Sequence, residues 1–161
     1  MTERNYMGKI EIINLEPQLV IGIRKRGYYK DIAEMLPKLY EYASKKGAEF
    51  SGMPTFICHE SLQEMEEANK TGNADIEVAV PIKNKIEENN EMHCYTLPGG
   101  KMAKIIHKGP YDACEPTYNE LFEWIKKNDK KIIGPIRESY LNDPREVGPE
   151  ETLTEIYVPI D

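Results

Sequence analysis

The sequence has no long apolar run and no leader-like start, and these absences exclude two classes of protein. No stretch reaches the roughly 18 consecutive apolar residues that a transmembrane helix needs. The first residues also lack the basic and then apolar pattern of a secretory signal peptide. We therefore expect a cytoplasmic protein with no membrane partner.

Cysteine and histidine are scarce, with three of each, and neither residue type forms a recognisable motif. An odd number of widely spaced cysteines without a CxxC pair does not indicate redox or metal chemistry, so we expect them to be small packing residues. The spacing of the histidines matches no metal-ligand motif. We therefore expect no metal and no cofactor. The residues concerned are Cys58, Cys94, Cys114, His59, His93 and His107.

Basic residues are also not in surplus, because the sequence has 28 acidic and 21 basic side chains and a net charge of -7. Lys and Arg are scattered rather than gathered into a stripe, so we expect no direct nucleic-acid partner. An acidic surface favours cationic ligands, although such a charge often serves only solubility. The length of 161 residues predicts a single domain, 1–161.

The second half of the sequence resembles the first half when the two are compared at an offset of 82 positions. Eight identities fall among 38 aligned positions, against roughly two or three expected from composition. At an offset of 78 positions, 77–82 (EVAVPI) matches 155–160 (EIYVPI). We interpret this pattern as a duplicated unit, with pseudo-repeats at about 8–82 and 92–160 and a polar connector at 83–91. The identical pairs are Leu15 and Leu97, Ile23 and Ile105, Gly27 and Gly109, Tyr29 and Tyr111, Leu39 and Leu121, Glu41 and Glu123, Lys45 and Lys127, and Gly52 and Gly134.

Each half has the pattern strand, strand, helix, strand, strand. In the first half, 10–15 and 19–24 are apolar and β-branched around a turn that contains Pro17, which predicts a hairpin. The helix that follows has apolar residues three and four positions apart. The polar loop at 61–75 leaves a helical turn as an open alternative. The predicted fold class is α+β: two tandem pseudo-symmetric β-α-β-β repeats with an antiparallel sheet, helices on one side and a central ligand groove.

Alternation along the two closing strands divides their side chains between two faces. In the second half Ile156 and Val158 share an aliphatic face, which suits the helix of that half. The side chains of Glu77 and Glu155 then point away from the helices, toward the predicted groove. A carboxylate beside aromatic rings suits planar, apolar or cationic small molecules. The alternative, that an outward glutamate on a sheet is only solvated, stays open.

Tyrosine is abundant, with ten residues against three phenylalanines and one tryptophan. Tyrosine and tryptophan suit a wet, ligand-facing surface, because each combines an apolar ring with a polar group. Tyr118 and Trp124 lie on the second predicted helix, and Tyr111 lies near a glycine at the turn before it. We treat these three as candidate groove residues, with a place in the core as the alternative for each.

Four ordered segments of the second half form a further pattern. They are His107–Tyr111 (HKGPY), a helix carrying Tyr118, Leu121 and Trp124, the pair Gly134-Pro135, and Leu153–Pro159 (LTEIYVP). Together they resemble the GyrI-like superfamily, which includes gyrase inhibitory protein and the effector-binding domains of AraC-type and MerR-type regulators. The resemblance covers essentially the whole chain and implies a central groove for amphipathic or cationic drugs. It assigns the key glutamate to Glu155 and the groove aromatics to Tyr111, Tyr118, Trp124 and Tyr157.

The leading functional interpretation is non-covalent binding of a small organic molecule, for sensing or sequestration, with Glu155 as counter-charge and Glu77 as its counterpart in the first half. Some stand-alone proteins of the family that resemble this chain hydrolyse cyclopropane-containing toxins. In that alternative Glu155 is a general base helped by Tyr111, and otherwise no catalytic residue is assigned. A further alternative is a protein-binding inhibitor, such as one of DNA gyrase. The acidic residues that would contact such a partner are Glu64, Glu66 and Glu67.

Regulators of this family carry an N-terminal helix-turn-helix domain. A fold that begins near residue 8 leaves no room for one in this chain. We therefore do not expect transcription control by this chain alone.

Overall fold

The computed structural model of the chain describes residues 9–161, which divide into two compact units. Unit 1 contains the residues up to Leu15 together with Gly100–Asp161, and unit 2 is Glu16–Gly99. Residues 1–8 lie outside the described residues. The expectation of no signal peptide, which concerns that segment, stays a prediction.

The described residues form strands and α-helices in a mixed order. The strands are β1 (Glu11–Leu15), β2 (Gln18–Gly27), β3 (Thr55–Cys58), β4 (Ala74–Pro81), β5 (His93–Leu97), β6 (Gly100–Lys108), β7 (Ile136–Tyr140) and β8 (Leu153–Pro159). The α-helices are α1 (Ile32–Lys45), α2 (Leu62–Thr71), α3 (Glu115–Lys127) and α4 (Pro144–Val147). Short 3₁₀ turns span Tyr29–Asp31, Tyr111–Ala113 and Pro149–Glu151. No helix within residues 9–161 is both long and apolar enough to cross a membrane.

Each unit is built on four antiparallel strands, so the architecture is α+β with antiparallel pairing, as predicted. In unit 2 the strand order is β3-β4-β2-β5, and in unit 1 it is β1-β6-β8-β7. Helix α1 packs on β2 and β4 within unit 2, and α3 packs on β6 within unit 1.

The predicted hairpin of β1 with β2 is wrong. β1 pairs with β6, with Ile12 opposite Ala103, whereas β2 pairs with β4 and β5. Only Glu16 and Pro17 separate β1 from β2. A two-residue hairpin turn needs a positive φ at its first central residue, and Glu16 does not adopt one. Proline at the second position fixes φ near about −65° and removes a hydrogen-bond donor, so the chain cannot turn back on β1 here.

The apolar stripes predicted for the two long helices are their buried sides. Leu39 in α1 and Leu121 in α3 are fully buried, and burial of such a side chain contributes about 1.5–3 kcal/mol. Residues three and four positions apart lie on one side of a helix, so each stripe faces the sheet of its own unit. The other buried residues are Met35 and Ala43 in α1, and Tyr118 and Ile125 in α3.

The polar segment at 61–75 contains a helix of ten residues, α2, rather than a single turn. Ser61 and Glu64 cap its N-terminus reciprocally: the Ser61 N–H donates to Glu64 Oε1 over 2.9 Å, and the Glu64 N–H donates to Ser61 Oγ over 3.3 Å. Gly72 ends the helix in the left-handed conformation, with φ of 71°. No residue within α2 is buried, but Leu62, Met65 and Ala68 are half-buried on one side, so end capping and packing on β4 together specify this helix.

Candidate functional site

A glutamate held between two tyrosines is the most distinctive polar feature of unit 1. Glu138 and Tyr140 lie two positions apart on β7, so their side chains share one face of the strand. The Tyr140 hydroxyl donates to Glu138 Oε1 over 3.1 Å. The Tyr118 hydroxyl, from α3, donates to Glu138 Oε2. Both carboxylate oxygens are therefore held by phenols from two different elements.

Strand register identifies which face of the sheet carries this cluster. Glu138 lies opposite Ile156 on β8, and Tyr140 lies opposite Thr154, so all four point to the same side. Tyr118 reaches Glu138 from α3, which shows that this side faces the helix. The prediction that Ile156 faces the helix and Glu155 looks away from it is thereby confirmed.

Tyr111 brings a third phenol to the cluster from the 3₁₀ turn that precedes α3. Its ring meets the Tyr140 ring edge to face, with centroids 5.2 Å apart and an interplanar angle of 62°. Tyr111 is 42% exposed. Gly109, whose φ of 122° favours glycine, shapes the turn, and its N–H donates to the Thr152 carbonyl over 2.8 Å. Tyr111 thus covers the cluster at the protein surface.

His107 fixes the turn that carries Tyr111. Its ring is 6% exposed, with Nε2 3.0 Å from the Pro110 carbonyl oxygen and Nδ1 2.8 Å from Thr117 Oγ1. Because a carbonyl oxygen only accepts, Nε2 carries a hydrogen and donates to it. In the neutral ring Nδ1 then accepts the Thr117 hydroxyl. His107 therefore joins β6 to the turn and to the first turn of α3.

The surroundings of Glu138 disfavour its charged form. Burial raises the pKa of the Glu138 carboxyl, while the hydrogen bonds from Tyr118 and Tyr140 oppose that rise. Burial first, and then the neighbouring Glu138, raises the pKa of Tyr140 well above its ordinary value. Burial likewise raises the pKa of Tyr111. The tyrosines therefore stay neutral donors, and Glu138 is the group whose charge a bound cation would stabilise.

Glu138 is expected to lower the stability of the free protein at neutral pH. Because its folded pKa lies above its ordinary value of 4.5, the folded chain holds a proton that the unfolded chain has already released. The free energy of unfolding therefore falls as pH rises from about 4.5 through the folded pKa. Glu138→Gln removes this titration, so its stability relative to wild type should rise from pH 4 to pH 7. Urea unfolding at both pH values measures the difference.

The exposed Glu120→Gln, on the same unit, is the matched control for that experiment. Its stability relative to wild type should stay constant between the two pH values. A constant difference for Glu138→Gln as well would contradict the shifted pKa of Glu138.

Glu155, the glutamate that the family resemblance singled out, lies on the opposite face of the same sheet. It lies opposite Ile106 on β6 and Ser139 on β7, and its side chain is 17% exposed. Lys104 Nζ is 3.1 Å from Glu155 Oε2. Tyr157 shares this face and lies opposite Lys104 and Arg137. A lysine already occupies one side of the Glu155 carboxylate.

Two of the other predicted site residues are also outside the tyrosine cluster. Trp124 is half-buried on α3 and lines a shallow surface depression in unit 1 with Ile10 and Lys127. Glu77 lies in unit 2, 8% exposed, on the face of β4 that points away from α1. The structure therefore unites Tyr111 and Tyr118 of the predicted set, and it adds Glu138, Tyr140 and His107.

The sequence matches one protein-family model over residues 8–161, that of the GyrI-like small molecule binding domain. Because this model covers nearly the whole chain, the chain belongs to the GyrI-like small molecule binding domain family. Comparison with curated protein sequences gives no match.

Solved structures share the fold at low sequence identity. The C-terminal domain of EcmrR is 19% identical with a TM-score of 0.84, over 95% of this chain and 97% of that domain. In the complex of EcmrR with DNA, the match covers 99% of this chain at 19% identity and a TM-score of 0.84. This chain spans only 60% of that EcmrR chain.

Two further solved structures of this fold carry different functional descriptions. A hydrolase from Listeria innocua is 15% identical with a TM-score of 0.71, over 99% of this chain and 95% of that one. SAV2435, solved with tetraphenylphosphonium bound, is 14% identical with a TM-score of 0.56, over 95% of this chain and 94% of that one. At these identities each likeness concerns the fold alone.

Proposed function

We propose that the protein binds an amphipathic organic cation through the tyrosine–glutamate cluster of unit 1, formed by Tyr111, Tyr118, Glu138 and Tyr140. The strongest support for this proposal is that both carboxylate oxygens of Glu138 accept hydrogen bonds from tyrosines. Two phenols hold both carboxylate oxygens in place, and a third ring covers the cluster at the surface. A negative charge fixed among aromatic rings is the arrangement that recognises a ligand combining positive charge with apolar surface.

The electrostatics of the free protein favour the same ligand class. A carboxyl group whose pKa is raised by burial gains stability when a cation replaces the water that it has lost. The net charge of -7 adds a weaker, long-range attraction for cations. SAV2435, which has the same fold, binds tetraphenylphosphonium, and that cation is a suitable probe here.

The test compares tetraphenylphosphonium with the neutral triphenylphosphine oxide by isothermal titration calorimetry at pH 7. The cation should bind at least about tenfold more tightly, which corresponds to roughly 1.4 kcal/mol. Affinity for the cation should rise with pH through the titration of Glu138, whereas affinity for the oxide should not. Equal affinities, or no binding of the cation, would contradict the proposal.

The remaining functional alternatives stay predictions. Hydrolysis of a strained toxin, with Glu155 as general base, has the Listeria innocua hydrolase as a structural neighbour. The predicted help from Tyr111 is wrong, because Tyr111 contacts Tyr140 on the opposite face of the sheet from Glu155. A ligand whose mass changes on incubation with the protein would favour this alternative over binding. The protein-binding inhibitor would use the exposed acidic side of α2, where Glu64, Glu66 and Glu67 lie.

A further inference from the structure

A second buried glutamate, Glu77 of unit 2, joins a histidine to a tyrosine. His59 Nε2 is 2.7 Å from Glu77 Oε1, and the Tyr95 hydroxyl donates to Glu77 Oε2 over 2.6 Å. Glu77 is 8% exposed. The three residues come from the end of β3, from β4 and from β5, and all belong to unit 2.

The hydrogen bond to Glu77 fixes the state of the His59 ring. A carboxylate only accepts, so Nε2 of His59 carries the hydrogen, and the lone pair of the neutral ring lies on Nδ1. Among residues 9–161, no hydrogen-bond partner of His59 Nδ1 is found. The side chain of His59 is 21% exposed, so the ring is accessible from solvent while Glu77 lies behind it.

The other two histidines lack this combination. Both ring nitrogens of His107 are hydrogen bonded, and the residue is 6% exposed. His93 is 57% exposed, and its Nδ1 faces Glu88 at 3.3 Å. Of these three histidines, His59 is the one that has a buried carboxylate on Nε2 and leaves Nδ1 for a ligand.

Tyr95 and the charges around Glu77 hold the carboxylate in position. Burial and the hydrogen bond to Glu77 raise the pKa of Tyr95 far above its ordinary value, so the phenol stays a donor. Arg24, which lies opposite Glu77 on β2, donates to both carboxylate oxygens of Asp75 over 2.8 and 2.7 Å. The charge of Arg24 also acts on Glu77, while the two carboxylate oxygens of Glu77 are left to His59 and Tyr95.

We propose that His59, oriented by Glu77, is the general base of a second site that hydrolyses small activated esters. His59 Nδ1 takes a proton from water as the water oxygen forms a bond to the ester carbonyl carbon. Glu77 stabilises the imidazolium that forms. When the tetrahedral intermediate collapses, the bond from that carbon to the leaving oxygen breaks, and His59 returns its proton to the departing group. This site is independent of the function proposed for Glu138.

The surroundings of the site limit the substrate to a small ester. On the inner side, Tyr95 packs against buried apolar side chains of unit 2. The substrate must approach the exposed edge of the His59 ring. The apolar residues concerned are Val20, Ile57, Ala79 and Leu97.

The test measures steady-state hydrolysis of 4-nitrophenyl acetate by the full chain at pH 7.5. His59→Gln should lower kcat/KM by at least about tenfold, since general-base catalysis contributes roughly 100-fold or more. His93→Gln, the matched control at an exposed histidine, should keep the wild-type value. The wild-type reaction should be slower in D₂O, because a proton moves in the rate-limiting step.

Glu77 and Tyr95 are positioning residues and need a different readout. Glu77→Gln keeps the shape of the side chain and should lower kcat severalfold with little change in KM, and Tyr95→Phe should do so to a smaller extent. Circular dichroism shows whether each variant is folded, and free imidazole should restore part of the activity of His59→Ala.

Three results would overturn the proposal. The first is an unchanged kcat/KM in His59→Gln, and the second is an equal loss of kcat/KM in His93→Gln. The third is a hydrolysis rate that D₂O does not change, together with accumulation of acetyl-histidine. Tetraphenylphosphonium binding should be unchanged in His59→Gln, so failure at one site is distinguishable from failure at the other.

Discussion

Glu138→Gln is expected to weaken tetraphenylphosphonium binding by about 10- to 100-fold at pH 7, because the substitution removes the negative charge that the surrounding phenols hold in place. Interactions with a charged group of this kind contribute roughly 1.5–3 kcal/mol, and about 1.4 kcal/mol corresponds to a factor of ten in affinity. Glutamine keeps the size of the side chain and its carbonyl still accepts a hydrogen bond from a tyrosine. Calorimetric titration of the variant measures the loss.

Glu155→Gln is the matched control, because it removes the same charge from the opposite face of the same sheet. There the carboxylate already has Lys104 at 3.1 Å, so affinity for the cation should change by less than about twofold. The reverse outcome, a large loss in Glu155→Gln and none in Glu138→Gln, would make Glu155 the counter-charge. The counter-charge would then be the glutamate that the family resemblance assigns.

The affinity of Glu138→Gln should also lose its dependence on pH. In the wild type, cation binding strengthens as Glu138 ionises, since burial has raised its pKa above the ordinary value. The variant has no such group, and its affinity should be flat between pH 5 and pH 8. Retention of the full pH dependence would show that a different group titrates on binding.

Local sequence patterns predicted most of the fold because they depend on residues close together in the chain. The three- and four-residue spacing of apolar side chains located α1 and α3, and alternation assigned Ile156 and Glu155 to opposite faces of β8. The helix α2 was underestimated, although Ser61 and Glu64 have the spacing of a capping box. That spacing, which concerns the backbone rather than the core, was the available signal.

The pairing of β1 could not be obtained from its own residues. Its partner β6 begins 85 positions after Leu15, at Gly100, and an apolar strand fits beside many others. Pro17 was the one local indication against a hairpin. Elements at similar spacing recur in both halves, such as β1 and β5, but the duplication and its boundaries at 8–82 and 92–160 stay a prediction.

The repeat pattern of the two halves does not indicate Glu138. Glu77 and Glu155 are carboxylates at matching positions of the two halves, whereas at the offset of 82 positions Glu138 corresponds to Phe56. A site present in only one half cannot be found in that way. The sequence Glu138-Ser-Tyr140 on a predicted strand does place a carboxylate and a phenol on one face, and this was the signal that could have located the cluster.

Gly22→Ala is expected to destabilise unit 2 by about 1–3 kcal/mol, the usual cost of forcing extra volume into a packed site. A Cβ at Gly22 would overlap the hydroxyl of Tyr95 and lie 2.9 Å from two of its ring carbons. The backbone of Gly22 has no positive φ, so alanine fits its conformation and would otherwise add about 0.4–1 kcal/mol of stability. The Tyr95 ring therefore decides the sign of the change. Urea unfolding of the single variant measures it.

A double-mutant cycle with Tyr95→Ala separates the ring from any other cause. Once the ring is removed, Gly22→Ala should be neutral or slightly stabilising, within about 0.5 kcal/mol. A loss of the same size with and without the ring would mean that Gly22 is required by the backbone alone. Because Tyr95 donates to Glu77 over 2.6 Å, displacement of the ring by Gly22→Ala should also lower the ester hydrolysis expected of His59. One glycine on β2 thus couples the packing of unit 2 to the position of its buried carboxylate.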